Sequence, residues 1–488
     1  MNAIARTPAA ATAFAWLLTA TGAAGAVGAA GAAQPESAPA DMQTLARIRD
    51  SAMTSTWAWQ HLAELTDTIG PRLSGSPQLT AAIAQVASAM RALGARVTLQ
   101  PAKIPHWVRG AEQADLIEYP GRPTGISQRL QLTALGSSGA TPAEGLRARV
   151  IVVHDFGALT ARSSEVPGSI VLFDEHFDQR LADNGDAFDA YGQAVLYRGS
   201  GPSRAAELGA VAALVRSVGG ANYRLPHTGV TIWKDGQRAI PAAALAQEDA
   251  DLVARLAASG PVTMNLLLTP VTLPDADSAN VIADWPGREK PDEYVIVSGH
   301  LDSWDLGTGA TDDGVGAMAA AAVIAVLKQL DLHPRRTIRF IAWTNEENGG
   351  RGNLAYFESV RQNLAMQVAA IESDSGAGRA LGVNATVSSG SLSALQPVID
   401  ALTPIGATVL ERHDDELGSD IGPLQGAGVP GFSPQVDRRH YFDYHHTAAD
   451  TLDKIDPQNL NSQAATMAVL AYFLADMPEV LPRFKAAQ

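Results

Sequence analysis

The chain has 488 residues, too many for one compact core, so two domains or one domain carrying a large insertion are expected. Hydrophobic residues make up 46% and charged residues 18%, which suits a globular chain and excludes a disordered one. A formal net charge of -15 argues against nucleic acid and anionic membrane surfaces as partners, since both need a basic footprint.

Residues 1–33 read as a signal peptide. Arg6 is the early charge, an Ala-rich apolar stretch follows over 9–33, and Ala30-Gly31-Ala32 and Gly31-Ala32-Ala33 offer small-residue cleavage sites before Gln34-Pro35-Glu36. Export is expected, to the periplasm or the medium if the source is bacterial. Alanine and glycine dominate this run, which makes it a poor permanent anchor, and no later window reads as a membrane span. The chain has 0 cysteines, so it has no disulfides, and any metal must be held by His, Asp or Glu.

Over 41–66 the apolar residues Leu45, Ile48, Met53, Trp57, Leu62 and Leu65 recur at helical spacing. Gly70-Pro71-Arg72-Leu73-Ser74-Gly75-Ser76 breaks that pattern, Ser76 can cap a second helix running towards Leu93, and Arg96-Val97-Thr98-Leu99 reads as a strand. Between the linker-like Gly136-Ser137-Ser138-Gly139 and Thr269-Pro270 the texture changes to short strands, such as Val150-Ile151-Val152-Val153 and Ser169-Ile170-Val171-Leu172, with one helix over 203–215. We read 136–269 as an inserted, mostly β domain, with 41–135 and 270–488 forming the main domain around it. From 280 onward, strands over 294–298, 337–343 and 368–371 with a helix over 314–330 imply an α/β fold, a mixed sheet flanked by helices. Ligands bind such sheets beyond the carboxyl ends of the strands.

That edge is where the chemistry gathers. The first strand runs into Gly299-His300-Leu301-Asp302-Ser303, the second into Thr344-Asn345-Glu346-Glu347-Asn348, and the third into Glu372-Ser373-Asp374. Asp312-Asp313 precedes the helix at 314, and His445-His446 lies in a loop before an apolar C-terminal helix. One histidine after one strand is usually a hydrogen-bonded structural group; ligand-type residues after three strands point to a metal. A pair of zinc ions needs neutral imidazoles, terminal carboxylates and one shared carboxylate, and a further carboxylate must carry the proton. The adjacent Glu346 and Glu347 can divide ligand and base roles, and Asp302 is spaced to orient the His300 imidazole. The charged run His413-Asp414-Asp415-Glu416 reads as a solvated loop, and the absence of a Gly-x-Ser-x-Gly elbow sets aside a serine hydrolase.

These motifs resemble the zinc exopeptidase family of bacterial leucyl aminopeptidases and glutamate carboxypeptidases. The likeness runs through Gly70 to Ser76, Ile104-Pro105-His106-Trp107, Pro226-His227-Thr228-Gly229, the block from Ser298 to Asp305, and Ala427-Gly428-Val429-Pro430. It also makes the insertion similar to a protease-associated domain. The resemblance implies two Zn2+ ions held by His300, Asp312, Glu347, Asp374 and His446, with Asp312 bridging and Glu346 as general base for attack by a metal-bound hydroxide. His446 is preferred to His445 because its spacing to Asp450 resembles the family's last motif; His445 then faces substrate. Asp313 is expected to fix the local backbone, and Asp420 resembles a supporting position behind the ligands. The expected substrates are small peptides, dipeptides above all, and the resemblance suggests a homodimer. A carboxypeptidase or dipeptidase needs a cation for the free carboxylate, for which Arg351 is a candidate; an aminopeptidase needs an acidic group for the free amine. Two other readings of this scaffold, a non-catalytic receptor-like binding protein and a single-zinc glutaminyl cyclase, fit less well, the first because no ligand is missing.

Overall fold

Alternation along the strand Lys290–His300 sets the architecture: Val295 and Val297 join one apolar cluster and Ile296 another, so both faces of this strand are covered. In the computed structural model, which describes residues 41–220 and 222–484, this strand lies inside an eight-stranded mixed sheet. The expected leader lies outside the described residues. The sheet runs Arg96–Val108, Val271–Trp285, Arg336–Trp343, Lys290–His300, Gln367–Glu372, Gly431–Val436, Ala380–Thr386, Val409–Arg412. Its middle is parallel, pairing His300 with Trp343 and Ser298 with Glu372, so three strands end at one edge in register.

One face carries Met42–Thr54, Val315–Leu330 and Pro457–Asp476, and the other carries Arg351–Val360 with Gly422–Gly426. Ser76 caps Pro77–Leu93, accepting from the Leu79 N–H at 3.1 Å. The stretch Ala310–Leu330 matches a membrane span in length and apolarity, contrary to the expectation that no such window follows the leader. It is buried throughout 310–327, an Ala-rich core segment packed between the sheet and Pro457–Asp476.

The chain leaves this sheet after Val108 and returns at Val271, building a second eight-stranded sheet from Glu112–Glu118 to Thr263–Leu268. Gly136-Ser137-Ser138-Gly139 lies within that second layer, where the Gly136 N–H donates to the Gly229 carbonyl at 2.9 Å. The helix expected over 203–215 is a correction: the helix is Ala187–Glu207, and Ala212–Arg216 is a strand. Gly209 turns the chain at φ +88°, and 212–216 is buried on both faces of a parallel sheet, an apolar run without a two-residue period.

Candidate metal centre

Beyond the carboxyl edge of the first sheet, Asp312 stands between two groups of ligand-type side chains. Its Oδ1 lies 3.2 Å from His300 Nε2, which in turn is 3.8 Å from Asp374 Oδ1. Its Oδ2 lies 3.2 Å from His446 Nε2 and 3.5 Å from His445 Nε2, and His446 Nε2 is 2.9 Å from Glu347 Oε2. One carboxylate thus presents one oxygen to each group, which is the arrangement a bridging ligand requires.

His445 and His446 stack with ring centroids 3.6 Å apart, so both reach Asp312. His446 alone of the two pairs with Glu347, and its Nδ1 has a main-chain acceptor, the Thr228 carbonyl at 3.2 Å. That leaves Nε2 free to ligate. His445 is edged by Tyr191, Tyr441 and Phe442.

The supporting contacts are specific. His300 Nδ1 is 2.9 Å from the Asp302 main-chain carbonyl, while the Asp302 carboxylate is 4.0 Å away from it. That carboxylate instead accepts from Ser74 Oγ at 2.9 Å, the Glu346 N–H at 3.0 Å and the Glu347 N–H at 3.4 Å. Asp302 therefore steers the imidazole through its backbone and the two glutamates through its side chain. Asp313 accepts the His300 N–H at 3.0 Å and the Gly316 N–H at 3.1 Å, tying the strand end to the helix start. Asp450 accepts the N–H groups of Thr311 and Asp312 at 2.6 and 3.1 Å, a support that its spacing from His446 did not reveal. Asp420 is buried beside Glu372, whose carboxylate accepts its N–H at 3.3 Å. Arg351 is exposed at the start of Arg351–Val360 and is not among the converging side chains. Glu346 is half-buried, as a group that meets solvent or substrate should be.

Charge is out of balance at this site. Burial, then the neighbouring Asp312, pushes Glu347 up to about 7. Burial, opposed by His300 but reinforced by Asp312 and Glu346, also lifts Asp374. For His446 burial acts downward, but Glu347 and Asp312 outweigh it and raise it to about 9. Asp312 Oδ2 and Glu347 Oε1 are buried with no hydrogen bond satisfied among the described residues. Excess buried anion and unspent carboxylate oxygens are what divalent cations neutralise, so the residues fit a metal.

The family model for peptidase family M28 matches residues 280–471, the span holding every one of these ligand-type side chains. Carboxypeptidase Q from Homo sapiens is 39% identical over 428 residues, covering 87% of either chain, and that from Xenopus laevis is 40% identical over the same share. The chain belongs to peptidase family M28. A solved M28 peptidase precursor from Shewanella amazonensis SB2B is 34% identical, with a TM-score of 0.83 over 90% of this chain and 98% of that one. BSAP, a zinc aminopeptidase from Bacillus subtilis, shares the fold at 19% identity and a TM-score of 0.61, covering 87% of this chain and 97% of its own. As an M28 member with its ligand-type residues converging, the chain is a peptidase whose site is built to hold a metal.

Sequence reasoning missed Arg198 and Thr228 from the second layer, which stand against His446, and Arg379 and Lys454, which line a cavity of about 320 Å³ with Thr311, Tyr441 and Tyr444. Thr228 lies in the Pro226-His227-Thr228-Gly229 motif, which gave it no role, and no motif marks Arg198, Arg379 or Lys454; the fold alone brings Arg198 to His446.

Proposed function

We propose that this M28 member is an exported di-zinc exopeptidase that hydrolyses small peptides, dipeptides above all, in the manner of a carboxypeptidase or dipeptidase. The observation that carries the reading is Asp312, with one oxygen facing His300 and Asp374 and the other facing His446 and Glu347. His300, Asp312 and Asp374 would hold one zinc, and Asp312, Glu347 and His446 the other. Zinc in such a site supplies Lewis acidity, which polarises a peptide carbonyl and makes water a nucleophile near neutral pH.

Glu346, held by its N–H on Asp302, takes the proton of the attacking water and delivers it to the leaving amine. His445 is kept neutral by burial and by the adjacent His446, and its position beside Asp312 makes it a donor to the developing oxyanion. Arg379 and Lys454, which share a cavity with Thr311, the chain neighbour of Asp312, are the cations we assign to a substrate carboxylate in place of the exposed Arg351. The relatives named carboxypeptidase Q support this choice of peptide end. Export through residues 1–33, a homodimer and the assignment of the second layer as a protease-associated domain belong to the same proposal, resting on the leader's composition and on the family likeness.

The test is a panel of dipeptides, free, N-blocked or C-amidated, with and without a chelator. Cleavage that requires both free ends and stops with chelator supports a dipeptidase. Tolerance of an N-block shows a carboxypeptidase; tolerance of the amide shows an aminopeptidase and overturns the proposed end.

A further inference from the structure

The Pro226-His227-Thr228-Gly229 motif and Arg198 take no part in the reaction, yet they hold His446. The Thr228 N–H donates to the His446 carbonyl at 2.9 Å, and the Thr228 carbonyl stands 3.2 Å from His446 Nδ1. An imidazole that ligates through Nε2 carries its proton on Nδ1, so this carbonyl selects the tautomer and sets the ring plane. His446 has φ +60°, a left-handed conformation uncommon for a residue with a Cβ, and the two-sided grip maintains it.

Thr228 is itself anchored to the first layer. Its Oγ1 donates to the Ala134 carbonyl at 2.9 Å and accepts from Arg109 Nη2 at 3.1 Å. Arg109 forks onto Asp305, at the end of the block that carries His300, with bonds of 2.8 and 2.7 Å. Arg198 completes the support through the Thr228 carbonyl: its Nη1 donates to it at 3.2 Å, while the 3.4 Å approach of the same nitrogen to the protonated His446 Nδ1 is packing and not a hydrogen bond.

Arg198 is 6% exposed, and among the described residues no carboxylate lies within ion-pair distance of it. Its guanidinium rests over the Tyr191 ring at 5.5 Å. Gly229 makes the room, since a Cβ there would come within 2.3 Å of Arg198 Cζ. A buried cation without a counter-anion is costly to keep. Its Nη1 is spent on the one carbonyl that orients His446, and Tyr191 takes a further hydrogen bond from the guanidinium.

We propose that Arg198 is a positioning residue for the metal centre, and that with Thr228 it makes the second layer a structural part of the site that binds through Glu347 and His446. This rests on the assignment of His446 as a ligand. The test titrates the zinc-loaded protein against a competing chelator for wild type, Arg198→Met and Arg198→Lys, with circular dichroism and melting recorded alongside. In Arg198→Met one of the two zincs is expected to leave roughly 10–100-fold more readily, the other remaining as in wild type. Arg198→Lys is expected to recover part of the loss. In the cobalt-substituted protein, Arg198→Met shifts the visible bands of one site only. Gly229→Ala displaces the guanidinium without removing its charge, gives the same selective loss, and serves if Arg198→Met does not fold. Wild-type affinity for both zincs in folded Arg198→Met, or in Gly229→Ala, overturns the proposal. If His446→Ala also keeps both zincs, the ligand assignment fails; if His446→Ala loses one and Arg198→Met loses none, this inference alone fails.

Discussion

Replacing Asp302 by alanine separates the two jobs the structure gives that residue. Its side chain is fully buried and accepts from Ser74 Oγ at 2.9 Å and the Glu346 N–H at 3.0 Å, with a longer contact to the Glu347 N–H at 3.4 Å. Counting only the two good bonds, at about 1.5–3 kcal/mol each for a charged acceptor, the loss is about 3–6 kcal/mol, reduced if water fills the gap. The turn carrying Glu346 and Glu347 is then free to move, and a displacement of about 1 Å costs on the order of a hundredfold in kcat. His300 Nδ1 is met by the Asp302 main-chain carbonyl at 2.9 Å, which the substitution leaves in place, so the zinc at His300 is expected to stay. Urea unfolding at saturating zinc, zinc content and dipeptide kcat measure the three effects. Stability within about 1 kcal/mol of wild type together with normal kcat would refute the proposed role of the side chain. Selective loss of the metal at His300 would show instead that the carboxylate orients that imidazole.

Glu346→Gln is expected to keep both zincs and lower kcat by roughly 10²–10⁴-fold, the usual worth of a general base; near-normal turnover in single-turnover kinetics removes Glu346 from that role. Arg72 is fully buried and donates to the carbonyls of Leu301, Gly70, Thr308 and Gly309 at 2.7, 3.0, 2.6 and 2.9 Å. Arg72→Met leaves these acceptors unpaired and should cost about 4 kcal/mol in chemical unfolding, at about 1 per bond. Zinc binds only deprotonated ligands, and Glu347, lifted to about 7 in the metal-free site by burial and Asp312, takes up a proton as the pH falls through that value. His446, raised to about 9 by Glu347 and Asp312, must also lose its extra proton to ligate, so zinc affinity should fall as the pH drops through about 9 and further through about 7; a chelator midpoint unchanged from about pH 9 to about pH 5 contradicts this.

Three of the proposed ligands are legible in the sequence because each follows shortly after an apolar run that must be a buried strand, and parallel strands end together; Asp312, before a helix, and His446, in a loop, are not marked this way. His300, Glu347 and Asp374 need no further information to be placed at one edge. The roles behind them are harder to read. Asp302 acts on His300 through its carbonyl and on Glu346 through its carboxylate, a division that no spacing encodes. Thr228 meets His446 through its main chain and Arg198 meets it through its side chain, and both contacts cross more than two hundred residues, so neither is visible in the sequence. The misread helix over 203–215 has a different cause: a strand covered on both faces loses its two-residue period, and its apolar run then looks helical.

The central claim is that Asp312 joins two metal sites. Zinc bound per chain, measured by elemental analysis after equilibration with a weak chelator, tests it most directly across wild type, His300→Ala, His446→Ala and Asp312→Ala. The expected result is two zincs for wild type, one for either histidine variant and none for Asp312→Ala. A wild-type protein that saturates with one zinc, or an Asp312→Ala variant that keeps one at wild-type affinity, would contradict the bridging role on which the account rests.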